Sequence, residues 1–188
     1  MRKVIHRTFM AWEHEKEENW LNEMAAQGWN LVDTTPFRYV FEQGTPGEYQ
    51  YRLELLAHGR DSEESRTYVR FMEETGAEYI TTYFNGWAYF RKRVADGPFE
   101  IFSDLDSKLQ HFERIRTLLL SITVVELLVL VSQIACFVLS REEGRYGSMG
   151  VFVGAMLVIL AITIFLGVGL ARVHAQIRRL RREREIHE

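Results

Sequence analysis

The chain has 188 residues and a formal net charge of −3, a length suited to one domain and little more. Its single cysteine excludes a disulfide framework and a cysteine-rich zinc module, and the modest charge gives no reason to expect nucleic acid as a partner. The charge is uneven: residues 1–104 carry 12 Lys and Arg against 18 Asp and Glu, whereas residues 105–188 carry 11 against 8 and contain two long apolar runs. This distribution predicts a soluble domain followed by a membrane anchor.

Residues 1–96 alternate between the two-residue periodicity of strands and the 3.6-residue periodicity of helices. Gly28 and Gly76 each follow a helical segment, at the position where glycine commonly ends a helix. The predicted elements in chain order are strand 3–9, helix 14–27, strand 29–33, strand 37–42, strand 49–56, helix 62–75, strand 78–83 and strand 87–93.

Two hairpins are predicted among these strands. The first joins strands 37–42 and 49–56 around the turn-forming segment GTPG at residues 44–47. The second turns at Asn85-Gly86, a dipeptide that favours tight hairpins because both residues tolerate positive φ.

The soluble segment resembles a duplication. MAAQGWNLV at residues 24–32 is similar to MEETGAEYI at residues 72–80, an offset of 48, and each is followed by an aromatic strand, FRYVF or WAYFR. The repeated unit would be strand, helix, strand, strand. We therefore predict an α+β, ferredoxin-like domain in which one antiparallel sheet of about six strands carries two helices on one face.

Aromatic residues are concentrated on the predicted sheet, and two interpretations are open. They fill the core between sheet and helices, or an uncovered sheet face forms a platform for a peptide, an apolar ligand or a second protomer. The opposite strand faces, which include Val40 and Glu54, are expected to be solvated. The candidate binding residues are Phe37, Tyr39, Phe41, Tyr49, Tyr51, Trp87 and Tyr89, with the residues of strands 37–42 and 49–56 facing each other across the first hairpin.

The sequence shows little sign of catalytic chemistry. The segment HEKEE at His14 lacks the second histidine of HExxH, and its carboxylates are expected on the exposed face of the first helix. There is no phosphate-binding glycine loop and no nucleophile elbow, and the six histidines do not pair at ligand spacing. We expect no enzymatic activity, no metal and no cofactor.

Residues 117–139 and 149–171 are long and apolar enough to cross a bilayer as helices. The polar segment 140–148 is predicted to be the loop between them.

An amphipathic linker helix at residues 97–116 should run without a break into the first span, as one helix from about Ser103 to Leu139. This joint either transmits a change to the membrane part or only anchors the domain. Residues 172–188 form a basic tail that would attract anionic lipid.

The distribution of Lys and Arg predicts the orientation of the two spans. Basic residues flank the outer ends of the spans, at residues 108–116 and 172–184, and are fewer in the loop. Both termini are therefore expected in the cytoplasm, as in a multi-pass cell-membrane protein. Cys136 lies within the first span and is interpreted as a small apolar residue.

Glu126 is the one charged residue inside the predicted spans, and Gln133 lies seven residues later on the same helix face. Three roles are open for Glu126: hydrogen bonding between helices, proton relay or transport, and contact with a partner membrane protein. Gly150, Gly154 and Gly167 lie on the second span at spacings that favour close helix packing, which weakly indicates oligomerisation.

Three segments, WLNEMAAQGW, FRYVFEQGTPGEYQYRLELL and GWAYFRK, resemble a family of uncharacterised bacterial membrane proteins with a domain of unknown function, common in Gram-positive bacteria. The resemblance covers about residues 1–95. It implies membrane helices after the domain and genes often placed beside PadR-type transcriptional regulators, hence an envelope stress response. No catalytic residue carries over from this family.

These features predict a non-enzymatic cytoplasmic binding or sensing domain on a two-span anchor. Its expected partners are membrane lipid and either a second copy or another membrane protein. The alternative is a small subunit of a membrane transporter or resistance system in which Glu126 is functional.

Overall fold

The computed structural model describes residues 1–83, 86–101, 105–142 and 149–187. It divides into two compact units, Met1–His111 and Phe112–Glu188. The main elements are β1 (Arg2–His6), α1 (His14–Ala26), β2 (Trp29–Thr35), β3 (Arg38–Gln43), β4 (Tyr49–Leu55), α2 (Glu63–Glu74), β5 (Glu78–Tyr83), β6 (Trp87–Arg93), α3 (Leu105–Glu142) and α4 (Met149–His187). The α+β class of the first unit is confirmed.

The six strands form two separate antiparallel sheets, in the orders β1-β3-β2 and β4-β6-β5. The predicted single sheet is therefore wrong. The predicted hairpin around residues 44–47 is also wrong, because β3 is the central strand of its sheet and pairs with β1 on one side and β2 on the other. The β5–β6 hairpin is confirmed by its register, from Glu78 opposite Arg91 to Tyr83 opposite Trp87. The predicted turn residue Asn85 lies outside the described residues.

The two sheets share more than their strand order. In β2 the register with β3 shifts between Leu31 and Asp33, and in β5 the register with β6 shifts between Tyr79 and Thr81. These two irregularities are 48 residues apart, the same offset that relates the similar sequence segments.

Helix α1 packs against both sheets, whereas α2 covers the second one. Leu21, Met24 and Ala25 of α1 are buried. The ring of Trp20 packs edge-on against Tyr39 and Phe41 of β3. On the other side of the second sheet, α2 closes a separate apolar cluster. This cluster contains Leu56, Met72, Ala77, Ala88, Phe90 and Phe99.

The second unit is an antiparallel pair of helices, and side-chain contacts between them occur along their length. Arg181 of α4 donates to Glu113 of α3 at 2.8 Å, Thr163 contacts Glu126, and the rings of Phe137 and Phe152 stack with centroids 3.9 Å apart. Helix α3 is continuous from Leu105 through the first apolar run, as predicted, while residues 102–104 and 143–148 lie outside the described residues.

Both long helices have the length and apolarity of membrane spans. Their apolar stretches have mean hydropathies of 2.4 and 2.8, and only 0% and 11% of these stretches are buried in the isolated chain. Val125, Leu128 and Val151 are each more than 60% exposed. Such a surface is unfavourable in water, so it supports association with a membrane.

Candidate functional site in the first helix

A buried carboxylate lies where α1 meets both sheets. Glu17 is 5% exposed, and its Oε1 accepts hydrogen bonds from the hydroxyls of Tyr39 and Tyr89, each at 2.6 Å. Tyr39 belongs to the first sheet and Tyr89 to the second. One oxygen atom therefore joins the helix to the central strands of both sheets.

Burial and hydrogen bonding act on Glu17 in opposite directions. Burial raises the pKa of the Glu17 carboxyl, and the two tyrosine hydroxyls lower it by stabilising the ionised form. Charge-assisted bonds of this length are among the stronger hydrogen bonds in proteins. The net effect is a raised pKa, so Glu17 is sensitive to any change that moves either tyrosine.

The next turn of α1 covers the edge of β4 that β6 does not use. Glu18 Oε1 accepts from the Leu53 amide at 2.8 Å, and Asn22 Oδ1 accepts from the Tyr51 amide at 2.7 Å. Side chains four residues apart lie on one helix face, so this pair matches the spacing of alternate amides along a strand edge. Burial raises the pKa of Glu18 to about 7, partly opposed by the Leu53 amide and the charge of Arg52.

The first turn of α1 contacts the start of α3. The ring of His14 lies 4.9 Å from that of His111 and 5.6 Å from that of Trp87, between ring centroids, and all three side chains are buried. Burial lowers the pKa of His14, against the raising effects of Glu15 and the Ala11 carbonyl. The helix that continues into the first apolar run thus begins packed against α1.

The expectation that the HEKEE carboxylates are exposed is wrong for Glu17 and Glu18. Glu17 is buried, Glu18 is partly buried and Glu15 alone of the three is exposed. Helical periodicity already placed His14, Glu17 and Glu18 on the stripe that continues with Leu21, Met24 and Ala25. Sequence reasoning missed the cluster because it assigned charged residues to the solvent by type rather than by position.

Most of the predicted aromatic binding residues are in the interior. Five are buried: Tyr39, Phe41, Tyr51, Trp87 and Tyr89. Tyr49 is partly buried, with the Arg91 guanidinium 4.3 Å from its ring centroid. Phe37 is 61% exposed. Binding of a partner at these residues stays a prediction, and the accessible candidates are Phe37 and Tyr49.

Phe37 occupies an unfavourable backbone conformation at the β2–β3 turn. Its φ of +70° is in the left-handed region, which costs a residue with a Cβ about 1–2 kcal/mol. Thr35 pairs with Arg38, so Phe37 lies at the tip of a two-residue turn.

The expectation that Val40 and Glu54 are solvated is wrong. Both are buried, and the Tyr68 hydroxyl donates to Glu54 Oε2. The second sheet has α2 on the face that carries Glu54, so a side chain predicted to face water instead faces a helix.

In the second unit, Glu126 is partly buried. Its Oε1 lies 3.1 Å from Thr163 Oγ1, and its Oε2 is buried with no hydrogen-bond partner among the described residues. Gln133 is also partly buried.

A Cβ added at Gly150, Gly154 or Gly167 would meet no described atom within 4 Å, so these glycines do not mediate the described α3–α4 contact.

Within the residues that the structure describes, no three His, Cys, Asp or Glu side chains are arranged to hold a metal ion. The cluster around α1 is instead a set of ionisable groups held by tyrosine hydroxyls, strand amides and aromatic rings. Such an arrangement can couple proton uptake or ligand binding to the position of a helix.

Comparison with known proteins gives a single family assignment. No curated protein and no solved structure matches the chain. A family model described as "Protein of unknown function (DUF2812)" matches residues 13–124, well over half of the chain. The match begins at the α1 cluster and extends through the start of α3 into the first apolar run. The chain therefore belongs to the DUF2812 family of proteins of unknown function.

Proposed function

We propose that the protein is a non-enzymatic, membrane-anchored sensing or interaction protein whose α+β unit lies in the cytoplasm. The observation that carries the proposal is the contact of His14 and Trp87 with His111. His111 belongs to α3, the helix that continues into the first apolar run. A displacement of α1 would therefore change the packing of His111 at the start of α3.

The ionisable groups of α1 supply the means of response. Glu17 and Glu18 are held by Tyr39, Tyr89 and the Leu53 amide, which come from three strands. A partner or ligand that shifts any of these strands changes the hydrogen bonds of α1. A ligand that binds one position of α1 more tightly than another would shift α1 toward that position and so change its contact with α3.

The orientation follows from the basic residues that flank the apolar runs on the side of both termini. The proposal places the loop at residues 140–148 outside and both termini inside. We extend it to a bacterial, mainly Gram-positive source, with genes beside PadR-type regulators and an envelope stress response, on the basis of the sequence resemblance alone.

We also infer that the α+β unit is a duplicated strand-helix-strand-strand module of ferredoxin-like ancestry. Support comes from the equal strand orders and from the register shifts separated by 48 residues. Since α1 of the first module covers β4 of the second, the two modules are interlocked.

The test is cross-linking in cells followed by co-purification from native membranes. The full chain is expected to recover a second copy or one other membrane protein in a fixed ratio. The control is a chain that lacks residues 1–101 and keeps both long helices. Equal recovery by this control would overturn the role of the α+β unit, as would recovery of nothing by the full chain.

A second variant tests the accessible aromatic candidate. Phe37→Asn removes the exposed ring, and asparagine tolerates the positive φ found there, so the fold should be kept. Lower recovery of the partner with an unchanged circular dichroism spectrum would support binding at the β2–β3 turn.

The alternative function, a small subunit of a transporter or resistance system, is favoured by Glu126, whose Oε2 is buried without a hydrogen-bond partner among the described residues. Glu126→Gln separates the two functions. A lost resistance or transport phenotype with unchanged assembly favours the alternative. Lost assembly identifies Glu126 as a structural link to Thr163 or to another chain.

A further inference from the structure

A cavity of about 460 Å³ lies between α2, the segment before it and β5. Its lining contains no residue of α1, so it is separate from the cluster described above. Arg60, Arg66 and Arg70 contribute guanidinium groups, and Leu56, Val69 and Tyr79 contribute apolar surface. The volume is within the usual range for small-molecule sites.

The charge of this cavity is opposite to that of the surrounding sequence. Residues 1–104 carry a net charge of −6, from 12 Lys and Arg against 18 Asp and Glu. The cavity lining has three arginines and one carboxylate, Glu63. Three arginines against one carboxylate give this cavity a local positive potential on an otherwise acidic part of the chain.

The arginines are weakly engaged by the protein itself. Arg60 is 3.9 Å from Asp61 and Arg70 is 3.6 Å from Glu63, and all four side chains are more than 60% exposed. Exposed pairs at such distances contribute little to stability. Arg66 makes no side-chain hydrogen bond or ion pair with any part of the chain that the structure describes. An anion that binds here would therefore break only weak ion pairs of Arg60 and Arg70.

We propose that this cavity binds a small organic oxyanion, a phosphate monoester or carboxylate attached to an aromatic or other apolar body. The guanidinium groups of Arg66 and Arg70, one turn apart on α2, would bind the oxygens, since arginine can donate two parallel hydrogen bonds to such a group. Val69 and Tyr79 would contact the apolar body. The proposal goes beyond the sensing role because it names a ligand class and a site for it.

The test is calorimetric titration of the full chain in nanodiscs of zwitterionic lipid with phenyl phosphate. Inorganic phosphate lacks the apolar body, phenol lacks the charge, and benzoate carries a carboxylate instead of a phosphate. We expect phenyl phosphate or benzoate to saturate one site per chain, at least tenfold more tightly than inorganic phosphate or phenol. Arg66→Gln and Arg70→Gln should each weaken this binding about tenfold.

Arg38→Gln is the matched control, since Arg38 is an exposed arginine on the other sheet. It should leave the affinity unchanged, and Arg66→Lys should restore part of what Arg66→Gln loses. The proposal is overturned if neither organic anion saturates, if inorganic phosphate binds as tightly, or if Arg38→Gln weakens binding as much as Arg66→Gln. Circular dichroism of each variant confirms that the fold is kept.

Discussion

Asn22 on α1 and Tyr51 on β4 exchange two hydrogen bonds: the Tyr51 amide donates to Asn22 Oδ1 at 2.7 Å, and Asn22 Nδ2 donates to the Tyr51 carbonyl at 3.3 Å. An asparagine side chain here takes the place of a neighbouring strand. Together with Glu18, it satisfies the edge of β4 that would otherwise accept another strand. Because α1 occupies this edge, β4 is an edge strand of its sheet and pairs with β6 alone.

Replacing Asn22 should therefore destabilise the α+β unit. Asn22→Leu has a similar volume but leaves the Tyr51 amide and carbonyl unpaired, at a cost of about 1–3 kcal/mol. The measurement is thermal unfolding of the full chain in detergent, followed by tryptophan fluorescence. Asn19→Leu, at an exposed position of the same helix, should change stability by less than about 0.5 kcal/mol. Equal effects of the two substitutions would contradict this account.

The two tyrosines that bind Glu17 should be energetically coupled. Tyr39→Phe and Tyr89→Phe each remove one donor to a buried carboxylate, at an expected cost of about 1–3 kcal/mol. The cost of each should fall in a Glu17→Gln background, because the acceptor is then neutral. Unchanged costs in that background, measured by chemical unfolding, would show that the tyrosines act through packing alone.

Stability should depend on pH through Glu18, whose pKa is raised to about 7 from 4.5. Between these values the folded protein binds a proton that the unfolded chain has lost. The stabilising effect of that proton is complete below pH 4.5 and is lost as the pH rises through 7.

Glu18→Gln tests this directly, because its side-chain oxygen still accepts from the Leu53 amide. At pH 8 the variant should be more stable than the wild type by about 3 kcal/mol, and at pH 4 the two should be equal. Glu23→Gln, at an exposed position of α1, is the control. A difference between Glu18→Gln and the wild type that does not vary with pH would be incompatible with this assignment.

The orientation can be measured with cysteine labelling, since Cys136 is the one native cysteine. In a Cys136→Ala background, an impermeant maleimide added to intact cells should label Gly147→Cys. It should label Glu15→Cys and Glu185→Cys only after lysis. Labelling of Glu15→Cys in intact cells would place the α+β unit outside.

Local patterns in the sequence were sufficient for most elements and insufficient for their pairing. The bounds of β5 and β6 match the predicted strands, and Ser62 is the N-cap of α2, with its Oγ accepting from the Ser65 amide. These features depend on neighbours in the chain. The pairing of β1 with β3 joins Arg2 to Glu42, across a helix and a strand, and no local turn residue indicates it.

The candidate site illustrates the same limit. The carboxylates of Glu17 and Glu18 were expected in solvent, although their spacing is compatible with the apolar face of α1. Spacing alone also does not identify the groups that bind them. The partners of these two residues and of His14 are Tyr89, Leu53 and His111, which are 35 to 97 residues away in the chain, so only the tertiary structure identifies them. Six of the seven aromatic candidates lie on strands as predicted, whereas Phe37 lies in the β2–β3 turn. The burial of Tyr39 and Tyr89 depends on α1 lying against both sheets.

The shared oxygen of Glu17 has a consequence for dissection of this protein. Helix α1 forms hydrogen bonds with strands on both sides of residue 47. A fragment of residues 1–47 would retain Glu17 and lose Tyr89. A fragment of residues 48–101 would retain β4 but lose the α1 side chains that bind its edge. Neither fragment should fold on its own. When the two are mixed, they should form a non-covalent complex, because each contains hydrogen-bonding groups that the other lacks.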